Sequence, residues 1–268
     1  MEIVIIVIAS VIVALVLLYL LFFVRPSAKL PKSKALLCDY AHRGLHSSEI
    51  PENSLAAFDL AAKEGFGIEL DVQLSSDGEV MVFHDYTLVR MTGCEKKLCE
   101  LTCEELQNLR LKESDQKIPT FREVLALIDS RVPLLVELKG ESGDTSLCPK
   151  VAALLREYKG EYCIESFNPL LVGKMKKELP DSYRGLLYTN TCKDRKKYSL
   201  LNIVVSCMGL NFVARPDFIA YNKIYRDSFA VKLTTRFYHA PKFVWTTKGE
   251  EETEKAHALG ECPIFERR

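Results

Sequence analysis

The octapeptide Gly67-Ile-Glu-Leu-Asp-Val-Gln-Leu74 decides how this chain is read. Its alternation makes a strand, and Glu69 and Asp71, two residues apart, must then point to one side of it. A carboxylate pair on a strand is usually a solvated face. Here helical periodicity precedes the strand and short apolar runs recur along the chain, the pattern of repeated βα units around a parallel sheet, whose strands have no solvated face. The hexapeptide Leu134-Leu-Val-Glu-Leu-Lys139 repeats the spacing, with Glu137 and Lys139 sharing a face. Carboxylates gathered inside a sheet repel unless a cation stands between them, and hard Ca²⁺ or Mg²⁺ takes oxygen ligands of this kind.

Outward from that strand, the apolar runs predict eight strands, over Ala35–Ala41, Gly67–Leu74, Leu134–Lys139, Tyr162–Phe167, Arg184–Tyr188, Asp217–Tyr221, Lys242–Thr246 and Pro263–Phe265. Helices fall between them: Ser54–Glu64 with Asn53 as N-cap, Thr120–Asp129, Ser146–Tyr158, Pro169–Glu178, Lys197–Cys207 and Gly249–Leu259. Together they predict an α/β chain folded as a (β/α)8 TIM barrel. The rhythm breaks once, from Ser75 to Lys117, where Ser76-Asp77-Gly78 marks a turn into a further strand, Glu79–Phe83, followed by a short helix over Thr102–Leu109. This reads as a small insertion after the second barrel strand, over about residues 75–117. Insertions at the C-terminal ends of barrel strands lie over the active-site face.

Ahead of the barrel the composition changes. Ile3 to Val24 carries no charge and would span roughly 33 Å as a helix, enough to cross the hydrocarbon core of a bilayer. A cleaved signal peptide has basic residues before a shorter apolar run, whereas Glu2 precedes this one and Arg25-Pro26 follows it. Residues 1–24 are therefore read as a single transmembrane helix, residues 25–34 as a linker with two prolines and three lysines, and residues 35–268 as one large α/β domain. Arg25, Lys29, Lys32 and Lys34 all follow the span and none precedes it, which predicts a cytoplasmic domain. Nine cysteines, all beyond residue 34, are odd in number and lack a paired Cys-x-x-Cys zinc spacing, as expected of small core residues in a reducing compartment. With 36 basic and 36 acidic residues there is no basic field to hold nucleic acid.

His42-Arg43-Gly44 closes the first predicted strand, and His84-Asp85 closes the inserted hairpin. Either histidine alone reads as structural. Beside a metal cluster and an arginine suited to phosphate forks, two histidines supply the base and the acid that a phosphodiester needs, the acid protonating the departing alkoxide.

From these residues the chain resembles the glycerophosphodiester phosphodiesterases. The likeness runs in order through His42-Arg43-Gly44, Pro51-Glu52-Asn53-Ser54, Ala57-Phe58, Glu69-Leu70-Asp71-Val72, Asp77-Gly78 and His84-Asp85. It continues through Thr87-Leu88, Arg90, Thr92-Gly93, Ile118-Pro119-Thr120, Glu137-x-Lys139, Ser166-Phe167 and Trp245-Thr246, so that it covers about Leu37 to Gly260. The resemblance implies a barrel with a small subdomain after the second strand. It also implies that Glu69, Asp71 and Glu137 hold the divalent cation, that His42 and His84 form the acid–base pair, and that Arg43 and Lys139 stabilise the phosphoryl oxygens. A metal-ligand role for His84 stays open beside the acid–base one. Phe167 and Trp245 would line the groove for the glycerol or alcohol moiety, or pack as core aromatics.

Two departures from the family stand out. Ser54 replaces the usual Thr and keeps the hydroxyl; the chain ends Cys262-Pro263-Ile264-Phe265-Glu266-Arg267-Arg268 where the family usually has Thr-Asp before a Pro, which predicts a looser barrel closure. The stretch Cys192 to Arg215 matches nothing readable. The expected activity is metal-dependent hydrolysis of glycerophosphodiesters to glycerol 3-phosphate and an alcohol. Water attack and internal attack by the glycerol 2-hydroxyl both remain open. The membrane tether suggests a lysophospholipase D acting on lysophospholipids as the same-chemistry alternative, and a non-catalytic membrane-tethered binding protein is the alternative from another class.

Overall fold

The structure is a computed structural model that describes residues 1–140 and 143–267; Arg268 lies outside them. In chain order the strands are β1 Tyr40–Ala41, β2 Gly67–Leu74, β3 Val80–Val82, β4 Leu134–Leu138, β5 Tyr162–Ser166, β6 Tyr183–Tyr188, β7 Phe218–Asn222, β8 Lys242–Lys248 and β9 Cys262–Glu266. The helices are α1 Glu2–Leu18, α2 Leu55–Lys63, α3 Val89–Thr92, α4 Cys103–Gln107, α5 Phe121–Ile128, α6 Leu147–Glu157, α7 Pro169–Glu178, α8 Thr191–Asp194, α9 Leu200–Ser206, α10 Asn211–Ala214, α11 Phe229–Lys232 and α12 Gly249–Ala258. All strands but β3 pair in parallel, and β1 hydrogen-bonds to both β2 and β9, so the sheet closes on itself as a (β/α)8 TIM barrel.

The alternation read in β2 sorts its side chains as expected. Ile68, Leu70 and Val72 face outward into a core with Phe58 and Ala61 of α2 and Phe121, Val124 and Ile128 of α5. Inside, the lower barrel is plugged by Tyr40, Tyr183, Phe218 and Phe243, with the Phe218 and Phe243 rings 4.2 Å apart. Gly185 is required there, because a Cβ would stand 2.1 Å from the Phe218 ring. The Glu69, Asp71, Glu137 and Glu165 carboxylates lie in the same interior, on strands whose register pairs Asp71 with Glu137 and Glu137 with Glu165. The insertion carries its own small core, including Met81, Phe83, Leu88, Leu98 and Leu106. Its β3 runs antiparallel to β2, with Val82 opposite Val72.

Several expectations are corrected. The first strand is two residues long because Lys34–Leu36 forms a 3₁₀ turn capped by the Ser33 hydroxyl, burying Leu36 under the barrel. Ser54, not Asn53, caps α2: its Oγ accepts from the Ala57 N–H at 3.1 Å, while Asn53 turns away at φ 54°. Lys139 lies one residue beyond β4. The anticipated loosening at the C-terminus is absent. β9 is in register with both neighbours, pairing Ile264 with Tyr40 and Phe265 with Ala41, and a bulge in β8 between Val244 and Thr247 absorbs the irregularity.

α1 continues through a π-helical turn, Tyr19–Phe23, giving one 22-residue helix long and apolar enough to cross a membrane, a property a signal sequence shares. No residue of α1 is buried. The π turn is different: Val24 at its end is fully buried, its carbonyl accepts from Asn211 Nδ2 at 2.6 Å, and Phe22 stacks on Phe212.

Candidate active site

The strand register concentrates acid. Glu69, Asp71 and Glu137 each offer a carboxylate oxygen, these lie within 4.8 Å of one another, and all three side chains are buried. Burial, followed by repulsion from Asp71 and Glu137, pushes the Glu69 carboxyl well above the usual range. Burial also raises Glu137, to about 7, against the pull of the Lys139 ammonium. Asp71 goes the other way: burial opposes its ionisation, but Lys139, His84 and Arg43 together hold it below the usual range. Lys139 Nζ is 2.9 Å from Asp71 Oδ1 and 2.7 Å from Glu137 Oε1. The set is all oxygen, closely spaced and short of positive charge at Glu69, which fits a hard divalent cation.

The β1–α2 loop folds over this cluster through three left-handed residues, Arg43, Gly44 and Asn53. Arg43, at φ 55°, aims its backbone N–H at Glu69 Oε2 (2.9 Å) and its Nη1 at Glu52 Oε1 (2.7 Å). Asn53 donates from Nδ2 to Asp71 Oδ2 at 2.8 Å. Arg90 of α3 reaches back from the insertion to Glu52 Oε1 (2.6 Å) and Asp85 Oδ2 (2.6 Å), tying the two loops together.

Both histidines are held by carboxylates. His42 Nδ1 is 2.7 Å from Glu266 Oε1, and His84 Nδ1 is 2.6 Å from Asp85 Oδ1. Each bond leaves Nε2 as the free ring nitrogen. Burial lowers both imidazole pKa values, countered at His42 by the Glu266 hydrogen bond and at His84 chiefly by the charge of Asp71. The His84 loop is further fixed by Gln73, whose Nε2 donates to the carbonyls of Phe83 (2.8 Å) and Asp85 (2.9 Å).

These groups open into a cavity of about 110 Å³. Of the residues singled out in the sequence, His42, Arg43, Glu69, His84, Glu137, Lys139, Phe167 and Trp245 line it. Asp71 lies beneath, 1% exposed. Phe167 and Trp245 meet edge to face at 5.5 Å, and the indole N–H donates to the Ala220 carbonyl at 3.0 Å, so one wall is aromatic and fixed. Sequence reading gave no role to Glu165 or Glu266. Glu165 lines the cavity with a buried Oε2 that has no hydrogen-bond partner among the described residues, and burial followed by Glu137 and Glu69 raises its pKa well above the usual range. The signal for Glu165 was parity with the inward residues of β5; for Glu266 it was a carboxylate at the C-terminal end of a barrel strand.

Known proteins share the sequence pattern and the fold. The profile of the glycerophosphoryl diester phosphodiesterase family matches residues 42–265. The chain is 38% identical over 160 residues to a glycerophosphodiester phosphodiesterase of Caldanaerobacter subterraneus subsp. tengcongensis, covering 55% of this chain and 65% of that one. It is 34% identical over 159 residues to human glycerophosphodiester phosphodiesterase 1, covering 55% of this chain and 48% of that one. The matched regions thus span between about half and two thirds of the length of these relatives. In fold the chain is similar to an Oleispira antarctica phosphodiesterase solved with the product sn-glycerol-3-phosphate, at TM-score 0.70 and 23% identity over 85% of this chain and 92% of that one. It is also similar to a glycerophosphodiester phosphodiesterase of Thermotoga maritima, at TM-score 0.65 and 26% identity over 85% and 94% of the two chains.

Proposed function

The chain belongs to the glycerophosphoryl diester phosphodiesterase family, and on that premise we propose that it hydrolyses glycerophosphodiesters to glycerol 3-phosphate and an alcohol. The divalent cation, Ca²⁺ or Mg²⁺, is held in this reading by Glu69, Asp71 and Glu137. The observation that carries the proposal is the buried carboxylate trio within 4.8 Å, under a cavity that both histidines line. When bound, the cation supplies positive charge to the phosphoryl oxygens and relieves repulsion among the three carboxylates.

The remaining work falls to side chains. Arg43 and Lys139 face the phosphoryl group; the Glu52 and Asp71 carboxylates hold Arg43, and Asp71 and Glu137 hold Lys139, so both cations are fixed before substrate arrives. His42 acts as base: burial keeps its ring neutral, and the bond from Nδ1 to Glu266 fixes the tautomer that leaves Nε2 free to accept a proton. His84 acts as acid: burial lowers its pKa, and the Asp71 charge, the Asp85 hydrogen bond and the anionic diester oppose that lowering and favour its protonated form. The aromatic wall of Phe167 and Trp245 receives the glycerol or alcohol moiety.

In the same reading residues 1–24 form a single membrane span, residues 25–34 a linker, and residues 35–268 a cytoplasmic catalytic domain with its insertion over about 75–117. The basic residues that follow the span and the nine free cysteines support the orientation. The test is a panel of glycerophosphodiesters and lysophosphatidylcholine, assayed on the full chain with Ca²⁺, Mg²⁺ and Mn²⁺. Release of glycerol 3-phosphate from at least one glycerophosphodiester is expected. Silence on every substrate with every metal would leave a binding protein as the better reading.

A further inference from the structure

The segment Cys192–Arg215, which no motif explains, supports the π turn that ends the N-terminal helix. Tyr19 Oη donates to the Cys207 carbonyl at 2.7 Å, beside Ser206, whose carbonyl accepts from the hydroxyl of Tyr188 at the C-terminal end of β6 (3.0 Å). Eight residues later, Ser27 N–H donates to the carbonyl of Pro216, just before β7 begins (2.8 Å). From Ser27 back to Tyr19 the chain therefore runs from the N-terminal end of one barrel strand to the C-terminal end of its neighbour. α1 continues from Tyr19 with no buried residue, which carries it past the C-terminal face, where the candidate active site opens.

The surface beside this helix is apolar. Tyr198, Leu200 and Leu201, in the segment after β6, and Ile224 and Phe229, after β7, are each between 65% and 78% exposed. They lie on the same side of the barrel as the candidate site, and Tyr198 and Phe229 line a furrow of about 300 Å³ with Ile203 and Cys207. Lys193, Arg195, Lys196 and Lys197, with Asp194 among them, stand exposed immediately before Tyr198. Aromatic and aliphatic tips with adjacent lysines and arginines are the composition of a surface that lies in the headgroup layer of an anionic membrane.

Length makes the same demand. The free part, Glu2–Leu18, has 17 residues and spans roughly 26 Å, a few ångströms less than the ~30 Å hydrocarbon core. Unless the bilayer thins around it, crossing also immerses the π turn, which is packed on Cys207, Phe212 and Tyr238, the Tyr238 hydroxyl donating to the Leu20 carbonyl. That draws the neighbouring loops into the interface. We propose that the loops after β6 and β7 dock on the bilayer crossed by the N-terminal helix, so that the C-terminal face of the barrel faces the lipid headgroups. This rests on the membrane-span reading and is independent of the hydrolase reading.

The full chain is reconstituted in phosphatidylcholine–phosphatidylglycerol vesicles with and without dibrominated acyl chains. Tryptophan emission is read for Leu201→Trp, Phe229→Trp and Leu259→Trp, each against the parent with its single Trp245. Leu259, exposed between α12 and β9, sits at the opposite end of the barrel. Blue-shifted, quenched emission is expected at positions 201 and 229 and none at 259. Unquenched emission at both 201 and 229 in a chain that resists alkaline carbonate extraction would overturn docking and leave the span intact. Quenching at 259 instead would reverse the orientation and overturn the proposal. Extraction by carbonate would remove the span reading and the docking with it. No turnover is read, so failure of the hydrolase reading would not affect the result.

Discussion

Glu69 and Asp71 sit two residues apart on one strand, yet their surroundings make them opposites. Glu69 is raised by burial and by two carboxylate neighbours, so the metal-free native state retains a proton that the unfolded chain releases in the ordinary carboxylate range. Native proton uptake means that apo stability falls as pH rises from that range toward the folded pKa. Glu69→Gln should therefore leave the apo protein at least as stable at neutral pH and flatten this slope, while weakening metal binding at least tenfold. Melting temperatures in chelator across pH, with and without added cation, check both halves. Asp71→Asn should behave differently, since Lys139, Arg43 and Asn53 all face Asp71. Loss of the charge leaves Lys139 with Glu137 alone and should cost about 1–3 kcal/mol of apo stability. The two histidines separate by leaving group. On a p-nitrophenyl diester, whose phenolate departs without a proton, the acid's contribution of about 10²–10⁴ should shrink, so His84→Ala should lose far less there than on glycerophosphocholine. His42→Ala should be impaired on both substrates; equal losses for His84→Ala would favour a metal-ligand role.

At the scale of elements, strand parity made most of the site readable. β2 matches its expected bounds, and the inward row of Glu69, Asp71 and Glu137 follows from counting in twos. What escaped was local chain reversal and long-range pairing. Asn53 reads as a helix cap because Asn caps helices, but its left-handed φ hands the cap to Ser54 and frees its amide for Asp71. The C-terminus read as a defect because its residues differ from the usual ending. Closure depends on backbone register, which β9 keeps, and its last residue, Glu266, meets a histidine 224 positions earlier. That pairing predicts a pH effect. The His42 hydrogen bond, acting against burial, holds Glu266 down to about 2, and the same bond raises His42 against burial. Glu266→Gln should therefore lower the His42 pKa further. The acid limb of the kcat/KM profile should move to lower pH, with a fall in kcat; an unmoved limb would show that Glu266 does not position the base.

Across the whole molecule, a barrel whose lower half is closed by Tyr40, Phe218 and Phe243 leaves a single open end for charge, and the strand register directs four carboxylates toward it. The fold was legible because the βα alternation is periodic. The loops after β6 were not, because their exposed apolar residues match no internal core and gain meaning only beside the N-terminal helix. In the proposed function the buried trio is the metal centre of a glycerophosphodiesterase. The most direct measurement strips the full chain with chelator, then follows glycerol 3-phosphate and choline released from glycerophosphocholine as free Ca²⁺ or Mg²⁺ is restored. The expected result is no turnover without metal and a saturable rise with it, the two products appearing in equal amounts. Turnover unaffected by chelation, or release of phosphocholine and glycerol instead, would contradict it.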